Sequence, residues 1–194
     1  MPETLTKKQQ THQRMLDAAS RSFKAHGFAG IGVDGIAKAA GVTSGAFYAH
    51  LGSKDEAFKA ILIKGLDEVI EAVPAFQRDF GRGWVKAFAE YYLGLPHRAD
   101  LACGCAMAAL ATEVVRSNDD IQMIFQEKMT DIANLVTKGL AGGSTSDRQA
   151  RAWAMLSTLI GGLNVVRAIE SNDLANHIAA SITAATITIA GKTR

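Results

Sequence analysis

One short stretch of the chain combines hydroxyl, small and basic side chains in a pattern suited to hydrogen bonding with phosphates and base edges. Ser44 and Tyr48 are four residues apart and Gly45 precedes Tyr48 by three, so in a helix these side chains share one face. Small residues let a helix backbone approach closely, and a serine hydroxyl both donates and accepts hydrogen bonds. This face is therefore predicted to enter the major groove of DNA. The Tyr48 hydroxyl, His50 and Lys54 are placed to contact phosphates.

Two short helices joined by a glycine turn are predicted to position this face. The apolar stripe of the first helix consists of Ile36, Ala37 and Ala40. Gly41 follows, where a helix commonly ends because glycine adopts positive φ without steric cost. Thr43 or Ser44 then provides an N-cap for a helix that runs to about His50 and directs Phe47 and Leu51 inward. Two helices around a short turn containing glycine are typical of a helix-turn-helix.

A longer pattern extends through these helices: Ile36-Ala37-x-x-Ala40-Gly41-Val42-Thr43-x-Gly45-x-x-Tyr48-x-His50-Leu51-x-Ser53-Lys54. It resembles the signature of the tetracycline-repressor (TetR) family of bacterial transcriptional regulators, over about the first 60 residues. The resemblance implies an all-α homodimer. Residues 1–52 would form a three-helix DNA-binding domain, and residues 53–194 a helical domain that binds a small-molecule effector and joins the subunits.

The resemblance also assigns roles to particular positions. The groove-facing positions of the family fall on Thr43, Ser44, Gly45, Ala46 and Tyr48, and its phosphate-contacting positions fall on Tyr48, His50 and Lys54. Two positions depart from the family pattern. Ile31-Gly32 replaces the usual Thr or Ser at the start of the second helix, which removes a capping hydroxyl and one expected phosphate contact, and Leu51 replaces the usual Phe.

Composition and charge agree with a cytoplasmic DNA-binding regulator. The chain has 194 residues, 48% of them hydrophobic, and a net charge of +2. The first 60 residues hold eight Lys or Arg against five Asp or Glu, so this end carries +3 and the remainder −1. Lys7 and Lys8 either form a basic N-terminal arm near DNA or solubilise a frayed terminus. Residues 1–10 are polar and lack the apolar stretch of a secretion signal.

The hydrophobic periodicity predicts about nine helices and no strand. Their ranges are 11–26, 33–40, 44–50, 53–73, 84–95, 103–116, 119–140, 147–170 and 173–190. The long uncharged runs 152–166 and 174–191 contain Ser, Thr, Asn or His and are expected to be buried helices, so no membrane partner is predicted.

The last two helices carry apolar residues on more than one face. A four-helix dimer interface, with two helices from each subunit, would cover them. An ordinary core within one chain is the alternative.

The middle of the chain concentrates aromatic and sulfur-containing side chains, which favours a mostly apolar effector pocket. The predicted effector-binding residues are Trp84, Phe88, Tyr91, Tyr92, Cys105, Met107, Met123 and Trp153. Tyr91, Tyr92, His97 and Glu113 could supply polar contacts.

Cys103-Gly104-Cys105 allows three interpretations. Small buried residues at a helix start are the simplest, and a reactive thiol that senses oxidants or electrophiles is the second. A metal site is disfavoured because only His97 lies nearby in the sequence. No metal or other cofactor is predicted.

The motif inventory favours a regulator over other classes of protein. The sequence has no glycine-rich phosphate loop, His-x-x-x-His pair or nucleophile elbow, so an enzyme is not expected. The main prediction is a ligand-responsive repressor that an effector releases from a palindromic operator in double-stranded DNA. The alternatives are a repressor that senses oxidants through Cys103 or Cys105, and a helical ligand-binding protein that does not bind DNA.

Overall fold

The computed structural model of the protein describes residues 6–102 and 104–194, and regular structure in these ranges is helical. Its helices are α1 (Lys7–His26), α2 (Val33–Ala39), α3 (Ser44–Leu51), α4 (Lys54–Phe80), α5 (Trp84–Tyr92), α6 (Leu95–Ala99), α7 (Ala106–Ala109), α8 (Ala111–Val114), α9 (Asp119–Gly139), α10 (Thr145–Arg167) and α11 (Asn172–Ala190). Within these ranges, β-type backbone pairing is limited to one isolated antiparallel bridge between Leu140 and Thr193. The predicted all-α fold is confirmed.

Helices α1, α2 and α3 pack around one small apolar core. Its fully buried members include Met15, Phe23, Ile36 and Phe47, which come from all three helices. An aromatic cluster completes this core. Phe28 stacks on Phe23, and both rings make T-shaped contacts with Phe58 of α4. The first turns of α4 therefore belong to the core of the N-terminal domain.

Helix α4 begins as the sequence indicates but ends later than predicted. The Ser53 hydroxyl accepts a hydrogen bond from Glu56 N–H at 3.0 Å, as expected of an N-cap. Pro74 was predicted to stop the helix after residue 73, and this is wrong because α4 continues to Phe80. Proline removes one backbone hydrogen bond, but packing on both sides offsets this loss. Beyond Pro74, Phe76 contacts the ring of Phe88.

The C-terminal domain is organised around α4, α9 and α10. Gln77 of α4 donates to Leu135 O of α9 at 2.9 Å, and the buried Trp84 indole donates to Gly139 O at 3.2 Å. The chain end follows the same edge, where Ala141 N–H donates to Lys192 O at 2.7 Å. The first two bonds hold α9 against α4 and the start of α5, and the third joins the segments that follow α9 and α11.

Several predicted helix bounds differ from those observed. Helix α1 starts at Lys7 rather than at residue 11, because the Thr6 and Gln9 side chains form a capping box. Lys7 and Lys8 are therefore helical rather than part of an extended arm. The predicted helix 103–116 is divided into α7 and α8, and α6 is an additional short helix that begins beside Pro96.

The last two helices bury one face inside the protomer and expose the other. The residues of α10 that pack inside the protomer include Leu156, Leu159, Leu163 and Val166. The exposed apolar side chains include Trp153 and Val165 of α10 and Leu174 and Ile187 of α11. Part of the predicted interface thus contributes to the core of one chain. None of the helices described combines the length and the apolar character needed to cross a membrane.

We expect Gly139→Ala to lower the free energy of unfolding by about 1–3 kcal/mol, the usual cost of overpacking. A Cβ at Gly139 would clash with the Gln77 amide and lie 3.0 Å from Trp84 Cζ2. Gly83→Ala, one residue before Trp84, is the matched control because its Cβ would meet no atom within 4 Å. Chemical denaturation measures both variants, and equal stability of the two would contradict the packing described here.

Candidate nucleic-acid interface and ligand cavity

The turn between α2 and α3 sets the direction of the recognition helix. Gly41 adopts a φ of 68°, and Val42 N–H donates to Ala37 O at 3.0 Å, which ends α2. Thr43 is the N-cap of α3, since its Oγ1 accepts from Ala46 N–H at 3.2 Å. Phe47 points into the core, as the spacing predicted. The opposite face of α3 is left toward solvent.

The outward face of α3 is small at its start and aromatic further along. A Cβ added at Gly45 would meet Thr43 Oγ1 at 3.9 Å and nothing closer, so open space lies in front of the helix here. Tyr48 is 53% exposed and its ring stands edge-on against Phe47. This combination allows the helix backbone to approach another surface closely, with a phenol hydroxyl beside the point of approach.

Ser44 has a partner that short-range spacing does not reveal. Its hydroxyl donates to the Asp34 carboxylate in the first turn of α2. Because the hydroxyl proton is used in this bond, the Ser44 oxygen is available to other molecules chiefly as an acceptor. Gly32, the N-cap residue of α2, makes no side-chain capping bond. The missing hydroxyl noted in the sequence is thus a missing cap in the structure.

The basic residues predicted to contact phosphates lie at the far end of α3 and the start of α4. The Lys54 ammonium lies 4.3 Å from the ring centroid of Phe28, a cation–π contact that fixes its position. The half-buried His50 ring lies 6.0 Å from His12 of α1. Both residues therefore flank the exposed α3 face rather than occupying its centre.

Comparisons with known proteins relate the chain to bacterial regulators. Residues 15–61 match the family described as bacterial regulatory proteins, tetR family. The transcriptional repressor SCO4008 of Streptomyces coelicolor is 33% identical over 86 residues, which cover 44% of each chain. The regulator SrpR of Pseudomonas putida is 42% identical over 60 residues, 31% of this chain and 28% of its own length. These matches support a TetR-family regulator whose family signature lies in residues 15–61.

Solved structures share the fold of this chain over nearly its whole length. The chain aligns with less than half of the length of SCO4008 and SrpR. A TetR transcriptional regulator from Chloroflexus aurantiacus matches 98% of this chain and 100% of its own, with a TM-score of 0.77 at 20% identity. Escherichia coli NemR in its reduced form gives a TM-score of 0.76 at 16% identity, over 94% of this chain and 98% of its own.

A cavity of about 140 Å³ lies between α4, α5 and α7. Four of the predicted effector-binding residues line it: Phe88, Tyr91, Tyr92 and Cys105. Gly65 and Glu68 of α4 and the ring of His97 complete much of the wall. The His97 ring stands edge-on to Tyr91 with a centroid separation of 4.7 Å. Phe88, Tyr91 and Tyr92 meet here because their spacing places them on adjoining faces of one helix.

The other four predicted residues are placed elsewhere. The buried Trp84 uses its indole N–H on Gly139, and Met107 is buried in the core outside the cavity lining. Met123 and Trp153 are 54% and 42% exposed, on α9 and α10. These residues were predicted to share a pocket because of their residue types. The orientation of their helices places them apart.

The polar end of the cavity is neutral. Burial raises the pKa of the Tyr92 hydroxyl well above its ordinary value, and the adjacent Cys105 raises it further. Burial also raises the pKa of the Cys105 thiol, although its bonds to backbone groups and to Tyr92 partly oppose this shift. A helix start can lower the pKa of a thiol, which was the basis of the alternative of a reactive cysteine, but here desolvation dominates. Cys105 is therefore a protonated, weakly nucleophilic thiol in this structure, and Cys103 lies outside the described residues.

The contact between Glu113 and the end of α1 was not predicted. The sequence named Glu113 only as a possible polar contact for an effector. A Cβ at Gly27, where α1 ends with a φ of 73°, would lie 2.9 Å from Glu113 Oε1. Glu113 of α8 thus lies against the backbone of the N-terminal domain. A cavity of about 350 Å³ beside this contact is lined by Phe28 and Phe58 from one domain and Ile121 from the other. No local pattern predicts such a contact, because it joins segments more than 80 residues apart.

Gly45→Ala should separate DNA binding from folding. Alanine at an open helical position is expected to raise the free energy of unfolding by up to about 1 kcal/mol, whereas its methyl group occupies the face that approaches DNA. We expect weaker DNA binding in a fluorescence anisotropy titration, together with unchanged or higher thermal stability. Gly83→Ala, far from this face in the chain, should bind DNA as the unchanged protein does. Full DNA affinity in Gly45→Ala would contradict a close approach at this position.

Lys54→Ala should weaken DNA binding without changing the preferred sequence. If Lys54 neutralises one phosphate, its loss reduces the slope of log K against log salt by about 1. Tyr48→Ala should also weaken binding evenly across sequences, whereas substitutions at Ser44 or Ala46 should alter sequence preference. Lys86→Ala, which removes a surface charge paired with Glu90 on α5, is the control. An unchanged salt slope in Lys54→Ala would argue against the phosphate contact.

Proposed function

We propose that the protein is a ligand-responsive, sequence-specific DNA-binding transcriptional regulator. The observation that carries the proposal is the exposed α3 face, on which Gly45 faces open space and Tyr48 projects beside it. A rigid helix held by a buried Phe47 and a capped first turn presents this face. Repression is the favoured direction, supported by the name of the related repressor SCO4008.

Each residue of the interface takes one role in this proposal. Gly45 and Ala46 allow the backbone of α3 to approach base edges in the major groove. The Ser44 oxygen, whose proton is committed to Asp34, accepts from an exocyclic amino group of cytosine or adenine. Thr43 faces the groove at the start of the helix, and the Tyr48 hydroxyl, His50 and Lys54 contact phosphates and fix the orientation.

A homodimer formed through α10 and α11 is part of the proposal. The exposed side of these two helices carries Trp153, Val165, Leu174 and Ile187. No Asp, Glu, Lys or Arg occurs in residues 152–166 or 174–190, so this face lacks the charges that usually keep a helix surface in water. Gly161 lies on the same face and has open space where a Cβ would be, which permits close helix approach. A two-fold pair of α3 helices would then read a palindromic operator.

Effector binding is proposed to act through α4. This helix contributes Phe58 to the core of the DNA-binding domain and Gly65 and Glu68 to the wall of the cavity. A ligand in the cavity therefore contacts the same rigid element that positions α3. It shifts the protein away from the DNA-binding arrangement only by the difference between its affinities for the two arrangements.

Selection of bound duplexes from a random-sequence pool tests this function. The purified protein is expected to enrich one palindrome, with half-sites separated by about one helical turn of DNA or a multiple of it. Enrichment of a non-repeated site would contradict the dimeric arrangement, and no enrichment at low salt with folded protein would contradict sequence-specific binding.

The dimer interface is tested in the same assay with two matched variants. Val165→Asp places a charge on the proposed interface and should yield a monomer in sedimentation velocity that enriches no palindrome. Val115→Asp introduces the same charge at a more exposed valine outside α10 and α11 and should remain dimeric. A dimeric Val165→Asp protein would place the interface elsewhere.

A further inference from the structure

The cavity between α4, α5 and α7 has a size and a polar group that together restrict its ligand. We propose that it binds a small neutral molecule built on one six-membered ring and bearing one hydrogen-bond acceptor, which accepts from the Tyr92 hydroxyl. This inference deepens the effector binding proposed above and rests on it.

The size of the cavity limits the ligand to one ring. Its volume is about 140 Å³, and a cavity of roughly 150 Å³ in another protein accommodates benzene. Val69, Phe88 and Ala106 supply apolar walls, and the exposed residues Glu68 and Tyr91 mark the side that opens to solvent. A short substituent can extend toward this opening, whereas a second fused ring would exceed the enclosed volume.

The Tyr92 hydroxyl indicates an acceptor on the ligand. Tyr92 is buried and lines the cavity, yet its hydroxyl has no hydrogen-bond partner of ordinary geometry within the part of the chain that the structure describes. The group beside it is the Cys105 thiol, a weak donor and a weak acceptor. A buried polar group without a good partner is costly, so a ligand carbonyl or ether oxygen that accepts this proton recovers the lost bond.

The charges around the cavity favour a neutral ligand. Arg167 lies behind the wall, where its Nε and Nη2 donate to His97 O at 2.9 and 2.6 Å and its guanidinium packs against Gly104. This half-buried cation opposes a second positive charge inside. The Glu68 carboxylate at the opening opposes an anion, and Tyr92 and Cys105 are themselves neutral. An uncharged acceptor satisfies Tyr92 without either repulsion.

Three compounds of one size separate the parts of this inference. Acetophenone is a one-ring ketone, α-methylstyrene replaces its carbonyl oxygen by CH₂, and benzoate is a charged analogue. Isothermal titration calorimetry on the DNA-free protein should show acetophenone binding about tenfold more tightly than α-methylstyrene, the affinity change expected for one recovered hydrogen bond at a buried group. Benzoate should bind more weakly than acetophenone.

Two variants identify the hydroxyl responsible. In Tyr92→Phe, acetophenone and α-methylstyrene should bind equally, and the protein should lose little stability to heat because the hydroxyl has only the weak Cys105 thiol beside it. Thr137→Val removes a buried hydroxyl that is paired with Ala133 O at 2.7 Å, outside the cavity lining. It should lower the melting temperature and leave the tenfold preference for acetophenone unchanged.

The outcomes distinguish this inference from the proposed function. Equal affinity for acetophenone and α-methylstyrene, a preference that survives Tyr92→Phe, tighter binding of benzoate, or no binding of any of the three would overturn the inference. Tyr92-dependent binding of acetophenone would support it. If saturating acetophenone binds in this way and still leaves operator binding unchanged in fluorescence anisotropy, that result would support the ligand class. It would reject the proposal that a ligand in this cavity releases the protein from DNA.

Discussion

Helix α4 is the element on which both halves of the molecule depend. Its 27 residues extend about 40 Å at 1.5 Å per residue. One end completes the aromatic cluster of Phe23, Phe28 and Phe58, while the middle approaches α7 so closely that a Cβ at Gly65 would lie 2.5 Å from Ala106 Cβ. Packing at both ends offsets the backbone hydrogen bond lost at Pro74. Helix α4 therefore joins the wall of the cavity to the core formed with α1, α2 and α3.

The two ends of this arrangement differ in how their polar groups are satisfied. At the α3 end the side chains are held by partners within the protein, since Thr43 Oγ1 accepts from Ala46 N–H, the Ser44 hydroxyl donates to Asp34 and Lys54 lies over Phe28. Such contacts hold side chains in place before another molecule arrives, which reduces the entropy lost on association. In the cavity the Tyr92 hydroxyl is buried without an equivalent partner. The first arrangement suits a preformed surface and the second suits a site completed by a small molecule.

How much could be predicted from the sequence depended on the range of the interactions. The helix-turn-helix was predictable because its determinants lie within a few residues of one another, as the Gly41 turn and the Thr43 cap illustrate. Pro74 was misjudged because local propensity predicts a stop, whereas the bond from Gln77 to Leu135 spans 58 residues. Met123 and Trp153 were assigned to the pocket by residue type, but the orientation of α9 and α10 decides their exposure. The Asp34 partner of Ser44 lies in another helix and has no local signature.

Free energy sets a limit on what a ligand in this cavity can do. A ligand with equal affinity for two arrangements shifts neither, and a shift from 1:99 to 99:1 requires about 5.5 kcal/mol of preference. A one-ring molecule makes few contacts, so most of this preference must come from a group whose environment differs between arrangements. The Tyr92 hydroxyl is such a group, because Cys105 and Arg167 lie close to it and α4 forms the facing wall. In the proposed mechanism, movement of α4 changes whether the hydroxyl can meet a ligand acceptor, so this bond is the point at which binding would be coupled to the position of α3.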